Sequence, residues 1–210
     1  MLAASNYLVV MLKNAFKPCI PTRGTKVPVG PDWLHEIKHD GYRLIVEREG
    51  KRVRLWTRNG YDWSGRFPLI TEAARRIKAD SFVIDGEAVL LGVDGVSDFA
   101  GLHSRKFDHE AQFYAFDILV GDGDDLRPQP THLRKSALAR LLRRRVDGII
   151  LNEFERGEIG PDLFKAACQM GLEGLVSKRR DRPYRAGRSP HWVKVKNPKS
   201  PAMYRAKEIF

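Results

Sequence analysis

The chain has 210 residues, 42% hydrophobic and 30% charged, which is enough for one domain with its own core and too apolar throughout for intrinsic disorder. Lysine and arginine total 37 against 26 acids, and a formal charge of +11 points to a polyanion such as nucleic acid or nucleotide phosphates. Cys19 and Cys168 are far apart, which excludes a disulfide framework and a cysteine zinc site and fits a reducing cytoplasm. The start, residues 1–12, is apolar but too short to span a membrane, and reads as an N-terminal extension. Residues 17–31 hold Pro18, Pro21, Pro28 and Pro31 with Gly24 and Gly30, and read as an extended, loop-like approach to the first strand. Residues 33–39, 42–49 and 53–57 read as three short antiparallel strands, with Asp40-Gly41 as a turn. Residues 67–79 have helical apolar spacing through Leu69, Ile70, Ala73, Ala74 and Ile77.

Residues 82–91 and 112–120 read as further strands, the second dense in aromatics, and 121–130 as a loop. Thr131 is placed to cap a helix over 132–145, with Leu133, Ala137, Leu138, Leu141 and Leu142 on its buried side. The basic cluster there (Arg134, Lys135, Arg140, Arg143, Arg144 and Arg145) reads as a solvated face. A short strand over 148–152 and a helix over 161–170, closed by Gly171, follow. Strands over 172–178 and 192–196 flank a basic loop, and from 171 onward the chain holds 11 basic residues and 3 acids. The pattern predicts an α+β fold of antiparallel sheets flanked by helices. There is no G-x-G-x-x-G and no G-x-x-x-x-G-K-[ST], which argues against a Rossmann or P-loop phosphate cradle.

Five segments carry candidate chemistry. In Glu36-Ile37-Lys38-His39-Asp40-Gly41-Tyr42-Arg43, Glu36 and Lys38 share one strand face. A lysine beside a glycine turn is held rigidly, but it is a nucleophile only when neutral. A surface hairpin with charged turn residues would look the same. Asp85-Gly86-Glu87 sets two acids among apolar neighbours, for Mg²⁺, for a ribose hydroxyl, or as a plain strand end. Aromatic Phe113, Tyr114 and Phe116 read as core or as a stacking surface for a base. Glu173-Gly174-Leu175-Val176-Ser177-Lys178 comes next. Last, Trp192, Lys194 and Lys196 share a face, and two neighbouring lysines call for an anion between them or guard an exposed edge.

In this order and spacing the segments resemble the motifs of the covalent nucleotidyltransferases: ATP-dependent DNA ligases, RNA ligases and capping enzymes. K-x-D-G-x-R is complete as Lys38, Asp40, Gly41 and Arg43, and Trp56-Thr57-Arg58-Asn59-Gly60 resembles the ligase motif that follows. Asp85-Gly86-Glu87, residues 114–117, 173–178 and 194–196 fill the remaining places. The resemblance covers residues 13–210, read as the adenylation domain, and is closest to the ligase domain of bacterial end joining. It implies a nucleotidyltransferase (ATP-grasp-like) fold, ATP as substrate and Mg²⁺ or Mn²⁺ as cofactor.

The resemblance also implies roles. Lys38 would attack the α-phosphorus of ATP to form lysyl-AMP, pass AMP to the 5′-phosphate of nicked DNA, and so lead to strand joining in repair. Glu36 would help recognise adenine, and Arg43 would contact ribose or the nick phosphate. Arg58 would hold the DNA 5′-phosphate. Glu87 would bind a ribose hydroxyl and join Glu173 at the metal. Phe116 would stack on adenine, and Lys194 and Lys196 would grip the α-phosphate. Lys178, five positions after Glu173, faces away from it in a regular strand. Only 14 residues follow Lys196, too few for the OB-fold domain of a full ligase. The expectation is therefore a monomeric adenylation domain in the bacterial cytoplasm, nucleoid-associated and without membrane contact. It would act alone or with a partner protein supplying OB-fold or end-joining functions. A nucleic-acid-binding ligase remnant and an RNA-ligase-type enzyme are the alternatives.

Overall fold

Alternating apolar residues build two sheets, seen in a computed structural model that describes residues 16–205. The expected extension over residues 1–12 lies outside the described residues. The elements in chain order are β1 (Cys19–Arg23), β2 (Trp33–Ile37), β3 (Tyr42–Glu49), β4 (Arg52–Thr57), α1 (Pro68–Arg76), β5 (Ser81–Val89), α2 (Phe99–His103), β6 (Gln112–Gly121) and β7 (Asp124–Asp125). They continue with α3 (Thr131–Leu141), β8 (Ile149–Leu151), β9 (Phe154–Arg156), α4 (Gly160–Gln169), β10 (Gly174–Arg179), β11 (Gly187–Lys196) and α5 (Pro201–Arg205). The first sheet has the order β1-β11-β10-β2-β9. The second has the order β4-β3-β5-β6-β7, with β8 beside β6. Among the described residues no helix is long and apolar enough to cross a membrane.

Strand alternation sorts the core into three parts. Leu44, Val46, Phe82, Ile84 and Phe113 on one face of the second sheet pack with Phe67, Ile70 and Ala73 around α1 and with Leu138 of α3. Ile45, Val83 and Leu119 on its other face meet Cys19, Tyr184 and Trp192 of the first sheet side. Leu175 and Val195 point away from that contact and pack on Ala167 of α4. Each fully buried side chain of this size contributes about 1.5–3 kcal/mol from apolar burial.

Several expectations need correction. The sheets are mixed, because β1 runs parallel to β11 and β8 parallel to β6. The proline-rich approach contains β1, which pairs with a strand some 170 positions later in sequence and so left no local signal. β9 was also not foreseen. β2 is not the first strand of a three-strand meander. It pairs with β10 and β9, whereas β3 pairs with β4 and β5 in the other sheet. Asp40-Gly41 is therefore a crossover between sheets. The last strand begins at Gly187, inside the segment expected to be loop.

The helix over 131–141 differs most from expectation. Pro130 is its N-cap with no side-chain capping bond, and Thr131 Oγ1 instead donates to the Arg182 carbonyl at 3.0 Å. Leu133 is 46% exposed. The buried stripe is Thr131, Arg134, Lys135 and Leu138, so two members of the expected solvated basic face lie inside. The stripe follows the helical period, but charge sits where apolar residues were sought. Arg134 pays for its burial with a fork on Asp117, Nε to Oδ1 at 2.8 Å and Nη2 to Oδ2 at 2.9 Å, and donates Nη1 to the Gln129 carbonyl.

Both members of this pair are fully buried. Arg134→Met strands the Asp117 charge, and chemical denaturation is expected to show a loss of about 3–5 kcal/mol. A loss within the range of a surface substitution would show the pair to be dispensable.

Candidate active site

The site grows from two rows of strand neighbours joined by residues 38–41. In the first sheet Glu36 lies opposite Val176, and Val176 opposite Lys194. Cross-strand neighbours share a face, so Glu36, Lys178, Trp192, Lys194 and Lys196 all look toward the second sheet. In the second sheet Arg43 lies opposite Glu87, and Glu87 opposite Tyr114. β6 has an extra residue here, since Asp85 and Gly86 pair with Asp117 and Ala115 and leave Phe116 between them. The bulge re-aims the strand, as bulges beside functional sites do. One pocket, of about 70 Å³, is lined by both rows, including Glu36, Lys38, Arg43, Glu87, Phe116 and Lys178.

Lys38 follows directly on β2, and its amide donates to the Gly174 carbonyl at 2.9 Å. Gly41 must be glycine, because a Cβ there would overlap the carbonyl of Ala88. Lys38 Nζ donates to Glu173 Oε2 at 2.5 Å, and Lys196 Nζ lies 2.8 Å from Glu173 Oε1. One carboxylate thus holds two ammonium groups. Burial opposes the charge on Lys38, but Glu173, Glu87 and Asp40 outweigh it and raise its pKa. Lys194 has no ion pair among the described residues. Burial lowers its pKa, and the charges of Lys38 and Lys196 lower it further.

The inner end of the pocket is equally charged. Glu36, 2% exposed, accepts a hydrogen bond from Lys178 on Oε2 at 2.8 Å and forms an ion pair with Lys135, whose Nζ lies 2.7 Å from Oε1. Burial pushes Lys178 down to about 8 against the opposing pull of Glu36, with Lys135 adding to the drop. The Lys178 ammonium sits 4.4 Å from the Phe116 ring centre and 4.1 Å from that of Trp192. Arg43 lies 4.8 Å from the same Phe116 ring and forks onto Asp85 at 2.8 and 2.6 Å. Asp85 also accepts Tyr184 Oη at 2.7 Å, and that hydroxyl accepts the Cys19 amide at 2.8 Å. His39 packs on Tyr114 with ring centres 4.2 Å apart and the planes tilted by 37°, and donates Nε2 to Asn152 Oδ1. Burial pushes it down to about 4, so it is neutral near pH 7.

The structure brings Glu36, Lys38, Arg43, Glu87 and Phe116 around one pocket and sets Glu173 and Lys196 beside it through Lys38. Arg58 is not brought there. It lies exposed in the turn after β4, an edge strand of the second sheet. Lys178 faces Glu36; Glu173, which precedes β10, also reaches the cleft, where it pairs with Lys38 and Lys196, so strand alternation does not extend back to it. Sequence reasoning missed Lys135, Asn152, His39 and Tyr184 as parts of the site. For Lys135 the i, i+3, i+4 spacing with Thr131 and Arg134 was the available signal.

Glu87 is raised to about 7, mainly by burial, against the pull of Lys38 and Arg43. Its carboxylate has no hydrogen bond or ion pair among the described residues. Between its ordinary value of 4.5 and about 7 the native state keeps a proton that the unfolded chain has released, so stability falls as pH rises through that window. Glu87→Gln removes this penalty. In thermal unfolding followed across pH, the variant is expected to gain on the parent from about pH 4.5 to about 7 and then hold its advantage. A difference independent of pH would contradict the raised pKa.

The sequence matches the ATP dependent DNA ligase domain family over residues 11–196. It is 35% identical over 172 residues to the multifunctional non-homologous end joining protein LigD of Pseudomonas aeruginosa, covering 80% of this chain and 20% of that protein. A probable DNA ligase of Nocardioides sp. is 36% identical over 174 residues, covering 80% of this chain and 34% of that one. Among solved structures, the ligase domain of Mycobacterium tuberculosis LigD superposes with a TM-score of 0.76 at 36% identity, covering 85% of this chain and 60% of that one. A mycobacterial DNA ligase D complexed with ATP and MES gives a TM-score of 0.75 at 34% identity, covering 85% and 59%. The chain thus spans about a fifth of the length of the Pseudomonas end-joining relative. With the two-sheet architecture and the lysine-bearing cleft between the sheets, the chain belongs to the ATP-dependent DNA ligase domain family, as an adenylation domain of the LigD type.

Proposed function

We propose that this domain adenylates itself on Lys38 and transfers AMP to the 5′-phosphate of nicked DNA. The observation that carries this reading is the Lys38 ammonium, held at the junction of the two sheets by Glu173, with Lys196 on the same carboxylate. In the first step Lys38 Nζ, having lost its proton, forms a bond to the α-phosphorus of ATP, and the bond to the pyrophosphate oxygen breaks. In the second, the phosphoramidate N–P bond breaks as a 5′-phosphate oxygen takes AMP. In the third, the 3′-hydroxyl oxygen bonds to the 5′-phosphorus, AMP leaves and the strand is joined. Each step is a displacement at phosphorus, governed by alignment and charge neutralisation.

The resting site keeps Lys38 protonated through Glu173 and Glu87. No group of three metal-ligating side chains occurs among the described residues. Two carboxylates do suit a magnesium ion that completes its shell with phosphate and water, and Glu87 and Glu173 are the residues proposed to hold it. Such an ion neutralises phosphate charge. Were such an ion bound, it would compete with Lys38 for both carboxylates; the Lys194 ammonium, whose charge opposes that of Lys38, favours the neutral amine. Lys194 and Lys196 are then placed for the α-phosphate. At the inner end, Glu36 acts on adenine as part of its cluster with Lys135 and Lys178, beside the Phe116 ring. Arg43 holds Asp85 with Nε and Nη2, which leaves Nη1 for ribose or the nick phosphate. Arg58, outside the pocket, is assigned to the DNA 5′-phosphate. Sealing is assigned to this domain acting with an OB-fold module, in the same polypeptide or in a partner.

Intact mass after incubation with ATP and Mg²⁺ is expected to show a gain of one AMP that Lys38→Ala lacks. The isolated adduct should pass its AMP to the 5′-phosphate of a nicked duplex. An adduct that persists in Lys38→Ala would place the nucleophile elsewhere. No adduct in the parent, after pyrophosphate has stripped any AMP already present, would leave a nucleic-acid-binding remnant as the better reading.

A further inference from the structure

A second concave surface lies on the other side of the second sheet. It is a groove of about 910 Å³ between the C-terminal ends of α1 and α3 and the turn after β6. Its wall residues Ile118, Ala137, Leu141 and Val146 belong to the apolar cluster on the helix side of that sheet, so the sheet separates it from the Lys38 cleft. Its rim carries Arg76, Lys78, Arg140, Arg143, Arg144 and Arg145, all exposed. Arg76 donates to the Asp147 carbonyl. None of the other five has an ion pair or side-chain hydrogen bond among the described residues.

Helix polarity does not account for them. The negative end of α3 is answered by one basic residue in its last turn, Arg140. Three consecutive arginines follow beyond the helix, none of them in an ion pair among the described residues. The floor is also not that of a plain solvated face. Leu126, Ala137, Leu141 and Val146 are only partly buried and line the groove beneath the arginines. Guanidinium groups fork onto carboxylates, and half-buried leucine and valine side chains gain from being covered.

We propose that this groove docks an acidic, amphipathic segment of a partner protein, with its carboxylates on the arginine rim and its apolar side chains on the Leu126–Leu141–Val146 floor. A nucleic-acid backbone fits less well. It offers phosphates to the rim but nothing to the floor, and the walls also present Asp122, Asp124 and Asp147, which repel a uniform polyanion. The groove holds no aromatic side chain on which a base could stack.

The test is fluorescence anisotropy with a labelled short peptide of alternating Glu and Leu. A Glu/Ser peptide of equal charge and a Lys/Leu peptide serve as controls, and an unnicked DNA duplex as competitor. The Glu/Leu peptide is expected to bind about tenfold tighter than Glu/Ser, and Lys/Leu not to bind. Arg140→Glu combined with Arg144→Glu should weaken Glu/Leu binding by about tenfold or more. Both arginines are exposed, so melting temperature and self-adenylation should stay at parental values. Equal binding of Glu/Leu and Glu/Ser would overturn the proposal, as would Glu/Leu binding unchanged in the double variant. Displacement of the peptide by the duplex would overturn it in favour of a nucleic-acid surface.

Discussion

Four residues, 38–41, carry the chain from one sheet to the other, and the geometry of the cleft depends on that short crossing. Its start is pinned by the bond from the Lys38 amide to Gly174, and its end by the close approach of Gly41 to Ala88. A side chain at Gly41 would push β3 away from β5 and widen the cleft. Lys38 stands where the two sheets come together, so its ammonium pairs with Glu173 from the first sheet's side and feels the charge of Glu87 from the second. The position of the lysine is a property of both sheets at once.

Charge is buried throughout this cleft, and three of its carboxylates hold cations of their own. Glu173 holds Lys38 and Lys196, Glu36 holds Lys135 and Lys178, and Asp85 holds Arg43. Buried ion pairs of this kind contribute little net stability, since desolvation offsets most of the attraction. Their effect is orientation. Each long, flexible cation is held in one place, so a ligand that enters meets fixed charge. Lys194 is the exception, a partly buried cation with no acid on it among the described residues, on the strand that also carries Lys196. It is the position where an incoming anion would gain most.

How much of this could be read from the residues depended on the range of the interactions. β3 and β6 follow from local alternation and appear at or within one residue of the expected bounds. The shared face of Trp192, Lys194 and Lys196 follows from the same rule. The α3 interior did not follow, because Arg134 and Lys135 are buried by acids at Asp117 and Glu36, far away in sequence. β1 was hidden because its partner β11 lies at the other end of the chain. The bulge at Phe116 depends on the register of two strands, which alternation within one strand cannot reveal. Motif order singled out Lys38, Glu87 and Glu173, but the burial and the neighbouring charges around Lys38 and Glu87 are three-dimensional.

The central claim is that Glu173 and Glu87 keep Lys38 a protonated, inactive amine until a nucleotide enters. The most direct measurement is ¹⁵N NMR titration of the lysine ammonium groups, with the Lys38 signal assigned by its loss in Lys38→Ala. In the free protein the Lys38 signal should still be that of an ammonium at its ordinary pKa of 10.5, and Glu173→Gln should bring its titration to lower pH. A Lys38 that is already neutral near pH 7, or one that Glu173→Gln leaves unmoved, would contradict the account.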